Sequence, residues 1–207
     1  FGTESVHDFI VQASGSYKRV MRGLSALNQG KYRPLIKAIV TISSDNLDDI
    51  ENLLADVEVN PAIDLSILQL GWFVPTPIGE KYRERMQKEF LIRAESWYGF
   101  RDDKAAEKID KIKNLLKKIN DNKFYKKPVL LFPDIKLKQI APYFADYGDL
   151  LGYGKCWALY SELDIRPNGD VVVCADFPDY IIGNINKQSI KEIWQGDKIK
   201  EFRSNIA

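Results

Sequence analysis

The sequence predicts an α/β fold with a parallel sheet, followed by a smaller α+β domain that contains a β-hairpin. Helix-type and strand-type segments alternate along the first half of the chain, and this order is typical of a parallel sheet with crossover helices. Further along, Asn168-Gly169 separates two strand-like runs. This dipeptide best tolerates the positive φ angles of a two-residue hairpin turn.

Four segments carry the prediction for the first half of the chain. Apolar residues at helical spacing predict a helix over residues 16–28. The β-branched run over 35–42 predicts a strand, and Asp45 or Asn46 is expected to cap the helix that follows it. A second strand is predicted over 62–70. Because a helix connects the two strands, we expect them to be parallel, with helices on the outer side of the sheet.

The middle of the chain predicts two helices and a short strand. Apolar residues at helical spacing indicate a surface helix between residues 79 and 99, and a clearer amphipathic helix follows over 102–120. The lysines of residues 111–127 alternate with apolar positions, which favours a solvated helix face over a nucleic-acid patch. A buried strand is predicted over 127–135 and is ended by Pro133.

Composition and charge exclude several classes of function. The 207 residues carry 30 basic and 29 acidic side chains, a net charge of +1, so we expect neither a nucleic-acid nor a membrane partner. No apolar run approaches the roughly 18 residues of a membrane span, and the first residues lack a signal sequence, so a cytoplasmic location is expected. The single histidine, His7, and the lack of a glycine-rich phosphate loop give no support to a hydrolase triad or a nucleotide site.

The two cysteines are the strongest candidates for chemistry. Cys156 precedes the predicted hairpin and Cys174 follows it, and the hairpin folds its second strand back along the first. Cys174 is therefore expected to come near Cys156, where Gly152 and Gly154 leave the backbone free to bend around a bulky ligand. From spacing alone, two buried structural cysteines remain an alternative, since a complete cluster needs about four thiolates.

A longer pattern surrounds the cysteines. After Cys156 come a strand, a turn with Pro167 and Gly169, and a second strand that ends in Cys174; Gly183-Asn184-Ile185 and the helix Ser189-Ile190-Lys191-Glu192-Ile193-Trp194 follow. Residues 156–203 thus closely resemble the opening of the SPASM or twitch auxiliary domain of radical S-adenosylmethionine enzymes. Upstream, residues 5–27 resemble the segment after barrel strand four of that family, and residues 36–46 resemble its strand five.

The resemblance implies the C-terminal half of a partial (β/α)6 TIM-like barrel over residues 1–135 and a SPASM/twitch iron-sulfur domain over 136–207. It implies a parent oxidoreductase that uses S-adenosylmethionine and [4Fe-4S] clusters. A peptide or protein substrate and a flavodoxin or ferredoxin as electron donor are the partners it implies. Cys156 and Cys174 are the implied iron ligands. The candidate cofactor-contact residues at the strand ends are Thr41, Ser43, Asn46, Leu70 and Gly71.

Two departures from the family pattern limit these expectations. Where many relatives have His-Asp-x-x-Arg-Gly, this chain has His7-Asp8-Phe9-Ile10-Val11-Gln12, and the family's Cys-x3-Cys-x2-Cys motif is absent from the 207 residues. We therefore expect a segment truncated at both ends, inactive alone, with an incomplete cluster site, and an exposed half-barrel edge through which copies self-associate. Two alternatives remain: a non-catalytic scaffold of the same architecture, or a thiol-disulfide switch that uses Cys156 and Cys174.

Overall fold

The computed structural model describes the whole chain except residues 72, 122–124, 146–150, 153, 155 and 207. The helices are α1 (Glu4–Ile10), α2 (Ser16–Gln29), α3 (Ile50–Val59), α4 (Thr76–Phe90), α5 (Ile109–Asp121), α6 (Ile140–Ala145), α7 (Ala158–Ser161), α8 (Ile190–Gln195) and α9 (Asp197–Ile206). The strands are β1 (Lys37–Ile42), β2 (Leu65–Leu70), β3 (Val129–Phe132), β4 (Asp164–Ile165), β5 (Asp170–Val172) and β6 (Ile181–Asn184).

The chain forms two compact units, and each draws on two stretches of sequence. The first comprises Phe1–Gly71 and Ala106–Tyr147, and the second comprises Trp72–Ala105 and Gly148–Ala207. The stretch that contains α4 therefore belongs with the C-terminal segment, although it precedes α5 in the sequence. The division that the family resemblance implies, into a half-barrel over residues 1–135 and an iron-sulfur domain over 136–207, stays a prediction.

The first unit contains a three-stranded sheet in the order β1-β2-β3. Both strand pairs are parallel, as the alternation of helices and strands predicts, and Ile39 pairs with Ile67, which pairs in turn with Leu130. The α/β prediction and the parallel sheet are confirmed. That these strands are half of a TIM-like barrel stays a prediction.

Only one face of this sheet is well covered. Val40, Ile42, Leu68 and Leu70 alternate along their strands and are each at most 4% exposed. The other buried apolar residues of the unit come mainly from the helices α3 and α5, namely Ile50, Leu53, Leu54, Val57, Ile112, Leu115 and Leu116. On the opposite face, Ile39, Leu130 and Phe132 are 61%, 51% and 50% exposed.

The predicted cap at the start of α3 is wrong. A short 3-10 turn, Leu47–Asp49, precedes α3, and neither the Asn46 nor the Asp49 side chain accepts a hydrogen bond from a helical amide. Asn46 is fully buried, and its amide nitrogen donates to the Phe1 and Thr41 carbonyls. Its Oδ1 accepts from the Ser43 amide, so this side chain closes the turn after β1 instead of capping a helix.

The second unit is built around a buried apolar cluster to which α4 contributes. Met86 of α4 is 1% exposed, and Tyr82 and Phe90 pack against residues of the C-terminal segment. Helix α4 is thus a surface helix whose apolar face belongs to the core of this unit, and it spans Thr76–Phe90 instead of reaching residue 99. The helix ends at Phe90 because Leu91 adopts a left-handed conformation with φ of 56°.

The predicted hairpin is confirmed, with a different turn. Strands β4 and β5 are antiparallel, and β6 pairs antiparallel with β5. The Gly169 amide donates to the Arg166 carbonyl and the Arg166 amide to the Asp170 carbonyl, which makes a three-residue loop. Gly169 has a φ of 86°, whereas Asn168 is not among the residues with positive φ. Pro167 explains the difference, because its fixed φ suits the first central position of a type I turn.

Helix α8 begins where the sequence predicts. The Ser189 hydroxyl accepts from the Glu192 amide, and the Glu192 carboxylate accepts from the Ser189 amide, so the predicted capping box is present.

None of the helices in the described part of the chain is long and apolar enough to cross a bilayer.

Candidate functional site

Cys156 and Cys174 lie on either side of the β4–β5 hairpin in the second unit. Cys156 is exposed and lies just before α7, and Cys174 is half-buried and lies after β5. Gly152 and Gly154 have φ angles of 89° and 33°, in the left-handed region that favours glycine. At these two glycines the backbone therefore uses the conformational freedom that the sequence indicated.

Both cysteines line a single cavity of about 540 Å³. Most of the other lining residues are apolar or aromatic, and the aromatic ones are Tyr82, Trp97, Phe177, Tyr180 and Phe202. The expectation that the two cysteines share a cavity at the hairpin is thus met. A cavity of this size with few polar groups is the usual form of a ligand or cofactor site.

The environment of the Cys174 sulfur has two opposing effects on its protonation. Burial raises the pKa of the thiol, while hydrogen bonds from the backbone amides of Phe177 and Asp176 lower it. The net pKa is raised, so the free thiol stays protonated near neutral pH. The same two amides are ready donors to a thiolate that is bound to a metal.

The cavity fits an iron-sulfur cluster in part. Thiolates are the usual ligands of such clusters, and apolar walls shield a cluster from water. Lys81 and Arg85 also line the cavity and place positive charge near a site that would hold an anionic group. Among the described residues, however, no group of three or more His, Cys, Asp or Glu side chains is arranged to hold a metal. Cys156 and Cys174 would supply two of about four thiolates.

A comparison with protein families bears on this pair of cysteines. Residues 156–207 match the SPASM family, an iron-sulfur cluster-binding domain. The SPASM segment thus begins at one cysteine and contains the other, and it accounts for about a quarter of the chain. No curated protein matches the chain, and no solved structure does.

Six of the thirteen residues that line the cavity lie outside the SPASM segment, and the sequence did not predict them as part of the site. Tyr82 lies on α4, and Trp97 lies in the 3-10 turn Ser96–Phe100. Trp97 is fully buried and packs against Gly79, where any side chain would overlap the indole ring. The helical spacing of Tyr82, Met86 and Phe90 was a visible sign of an apolar face, but periodicity alone does not say what that face covers.

A carboxylate in the SPASM segment joins it to this second wall. Asp179 accepts hydrogen bonds from the Tyr82 hydroxyl at 2.9 Å, the Glu95 amide at 3.0 Å and the Ser96 amide at 3.1 Å, and also from the Ser96 hydroxyl. Burial alone raises the pKa of Asp179, but the hydrogen bonds from these donors outweigh it, and the net pKa is lowered. Asp179 is therefore ionised near neutral pH, and protein donors replace part of the water around its carboxylate.

The five candidate cofactor-contact residues all lie in the first unit. Thr41 lies in β1 next to its last residue, Ser43 follows β1, Leu70 ends β2, and Gly71 lies next to Thr41 at the same edge of the parallel sheet. Leu70 points into the core, so its backbone is the part left for a ligand.

Two of the polar side chains among these residues already form hydrogen bonds within the protein. All three hydrogen-bonding groups of the Asn46 amide side chain have backbone partners, and the Ser43 hydroxyl accepts from the Asp45 amide. The structure thus brings these residues to one edge of the sheet. Their role in binding a cofactor stays a prediction.

Proposed function

We propose that Cys156 and Cys174 are two ligands of a [4Fe-4S] cluster in the auxiliary domain of a radical S-adenosylmethionine oxidoreductase. The observation that carries the proposal is that both cysteines of the SPASM segment line the same cavity. Iron-sulfur ligation needs thiolates that converge on one volume, and two unrelated structural cysteines have no reason to share one.

A bound cluster would supply one-electron transfer. This chain's own residues would do three things: the two thiolates bind iron, the aromatic walls exclude water, and the Asp176 and Phe177 amides donate to the Cys174 sulfur. Hydrogen bonds to sulfur and the dielectric of the surroundings set the reduction potential of such sites. A complete cluster would need further ligands besides these two cysteines.

The parent reaction is proposed from the resemblance of the upstream half. In this proposal the first unit belongs to a barrel that holds S-adenosylmethionine at the carboxyl ends of its strands, near Thr41, Ser43, Asn46, Leu70 and Gly71. The proposed substrate is a peptide or protein side chain, and a flavodoxin or ferredoxin is the proposed electron donor. The parallel sheet of this unit and the SPASM segment together support the proposal.

Anaerobic iron reconstitution tests the role of the cysteines. We expect the 207-residue chain to hold no complete cluster, and a longer natural form with further cysteines after Arg203 to take up iron with the absorption of a cubane cluster. Cys156→Ala and Cys174→Ala should each lower iron content in that form. If the longer form held the same iron with both cysteines replaced, the assignment would be wrong.

Two free thiols in one cavity also favour a second candidate, a thiol-disulfide switch. It predicts that Cys156 and Cys174 form a disulfide reversibly at a defined potential. It also predicts that no form of the protein binds cysteine-dependent iron. Titration of the thiols against a glutathione redox buffer, with and without iron, separates the two candidates.

A further inference from the structure

The loop that follows Cys174 has no regular secondary structure. Residues 173–180 lie between β5 and β6 and take part in no strand ladder. Hydrogen bonds within the loop join the Asp176 and Phe177 amides to the Cys174 sulfur. Because no ladder holds this loop, the position of the Cys174 sulfur depends on side chains that anchor the loop elsewhere.

One of these anchors is a ring contact. The Phe177 ring meets the Tyr82 ring edge-on, with centroids 5.4 Å apart. The Phe177 ring also lies 5.7 Å from the ring of Phe100. Phe177 and Tyr82 both line the cavity with the cysteines, so this contact lies in the wall of the site itself.

A second anchor is Asp179. Within the described part of the chain its carboxylate receives four hydrogen bonds, and all four come from residues 82–96. Burial and the hydrogen bond to Asp179 raise the pKa of Tyr82, so its hydroxyl keeps its proton and remains a donor across the physiological range. Tyr82 thus contacts the loop twice, through its ring and through its hydroxyl.

We propose that Tyr82 is a positioning residue of the cysteine site: through Phe177 and Asp179 it holds the loop that presents the Cys174 sulfur to the cavity. The cysteine site then extends beyond the SPASM segment and includes a helix that lies 66 to 80 residues before Cys156. The inference rests on the proposed function only for the role of Cys174 as an iron ligand.

Tyr180 provides a matched control for Tyr82. It also lines the cavity, and its hydroxyl donates a 2.9 Å hydrogen bond to a carboxylate, that of Glu201 on α9. Tyr82→Phe and Tyr180→Phe therefore remove the same group and the same kind of bond from the same cavity. Tyr180 is the last residue of the same loop and lies directly before β6, so Tyr180→Phe releases a bond at the end of the loop far from Cys174 in sequence. Only Tyr82→Phe releases the bond to Asp179.

The first measurement uses the metal-free 207-residue chain. We would follow alkylation of each cysteine by N-ethylmaleimide at fixed pH, with mass spectrometry of the peptides. Tyr82→Phe should make Cys174 react several-fold faster and leave the rate of Cys156 unchanged, whereas Tyr180→Phe should change neither rate. Hydrogen exchange of amides 174–179 should rise in Tyr82→Phe alone. Equal Cys174 rates in the two variants would overturn the proposal.

A second variant covers the case in which Tyr82→Phe does not fold. Ser96→Ala removes one hydroxyl donor to Asp179 and leaves the cavity wall intact. It should accelerate alkylation of Cys174 in the same direction and by a smaller factor. An unchanged Cys174 rate in a folded Ser96→Ala protein would count against the proposal.

Iron-loaded protein separates this proposal from the proposed function. In a form that binds cysteine-dependent iron, Tyr82→Phe should shift the reduction potential and the electron paramagnetic resonance spectrum of the cluster, and Tyr180→Phe should not. If the unsubstituted protein binds no such iron, the proposed function fails while the alkylation result still decides the role of Tyr82. If iron binds and both variants give the spectrum of the unsubstituted protein, the positioning role fails alone.

Discussion

The hydroxyl of Tyr82 donates a 2.9 Å hydrogen bond to the carboxylate of Asp179, 97 residues further along the chain. This bond links α4 to the loop after Cys174, and both ends lie in the second unit. A carboxylate that is satisfied by neutral donors is a source of stability that depends on pH, because protonation removes its ability to accept all of these bonds.

Asp179→Asn should lower the stability of the protein at pH 7 by about 1–2 kcal/mol, since the amide accepts fewer of the four hydrogen bonds. The folded pKa of Asp179 lies below its ordinary value of 3.8. Its contribution is therefore complete above that value and is lost as the pH falls through the lower, folded pKa. Urea unfolding at several pH values should show a weaker acid destabilisation in Asp179→Asn. The exposed Glu84→Gln on α4 is the control and should leave the acid dependence unchanged.

Gly79→Ala should destabilise the protein by about 1–3 kcal/mol because a methyl group at this position overlaps the buried Trp97 ring. Gly99→Ala is the matched control, since no atom lies within 4 Å of its added methyl group. The control should change stability by less than about 0.5 kcal/mol. Urea denaturation followed by tryptophan fluorescence compares the two variants, and equal midpoints would contradict the packing described for Gly79.

Gly169→Ala should cost about 2 kcal/mol or more, because a left-handed conformation is strained for alanine and the methyl group also meets the Asn186 side chain. Gly23→Ala, in the exposed part of α2, should instead be neutral or stabilise by up to about 1 kcal/mol. Thermal unfolding by circular dichroism measures both. A Gly169→Ala protein as stable as the unsubstituted chain would argue against the three-residue loop.

Asn46→Ala should lower stability by about 2–4 kcal/mol, since it leaves the Ser43 amide and the Thr41 and Phe1 carbonyls without their buried partner. Asn120→Ala, at an exposed position of α5, should have an effect below about 0.5 kcal/mol. Chemical denaturation of the two variants checks this. A small effect of Asn46→Ala would mean that these hydrogen bonds contribute little and that the Asn46 side chain is available to bind a cofactor.

The uncovered face of the parallel sheet should make the chain self-associate, because Ile39, Leu130 and Phe132 expose apolar surface beside each other. Replacing Leu130 and Phe132 together with lysine should shift the protein toward monomer. Val59→Lys, at an apolar position that is 74% exposed at the end of α3, should not. Sedimentation and small-angle scattering over a range of concentrations measure the effect, and a monomer at high concentration in the unsubstituted chain would contradict the expectation.

Local patterns in the sequence determined which elements form and where the cysteines stand. Strands over 35–42 and 62–70, the hairpin around Gly169 and the Ser189 capping box all depend on propensities and hydrogen bonds between residues a few positions apart. At these positions no tertiary contact in the described part of the chain competes with the local interactions, so the sequence suffices to predict the elements. The spacing of Cys156 and Cys174 around the hairpin belongs to this class.

Only the tertiary structure decided how those elements are used. Asn46 looked like a helix cap, but the approach of Phe1 and Thr41 gave its amide better partners inside a buried turn. The helical spacing of Tyr82 indicated an apolar face on α4, but only the structure shows that Asp179 and Phe177 contact Tyr82 from a segment nearly a hundred residues away. Contacts between distant segments are selected by packing and by the need to pair every buried polar group, and neither requirement leaves a periodic mark in the sequence.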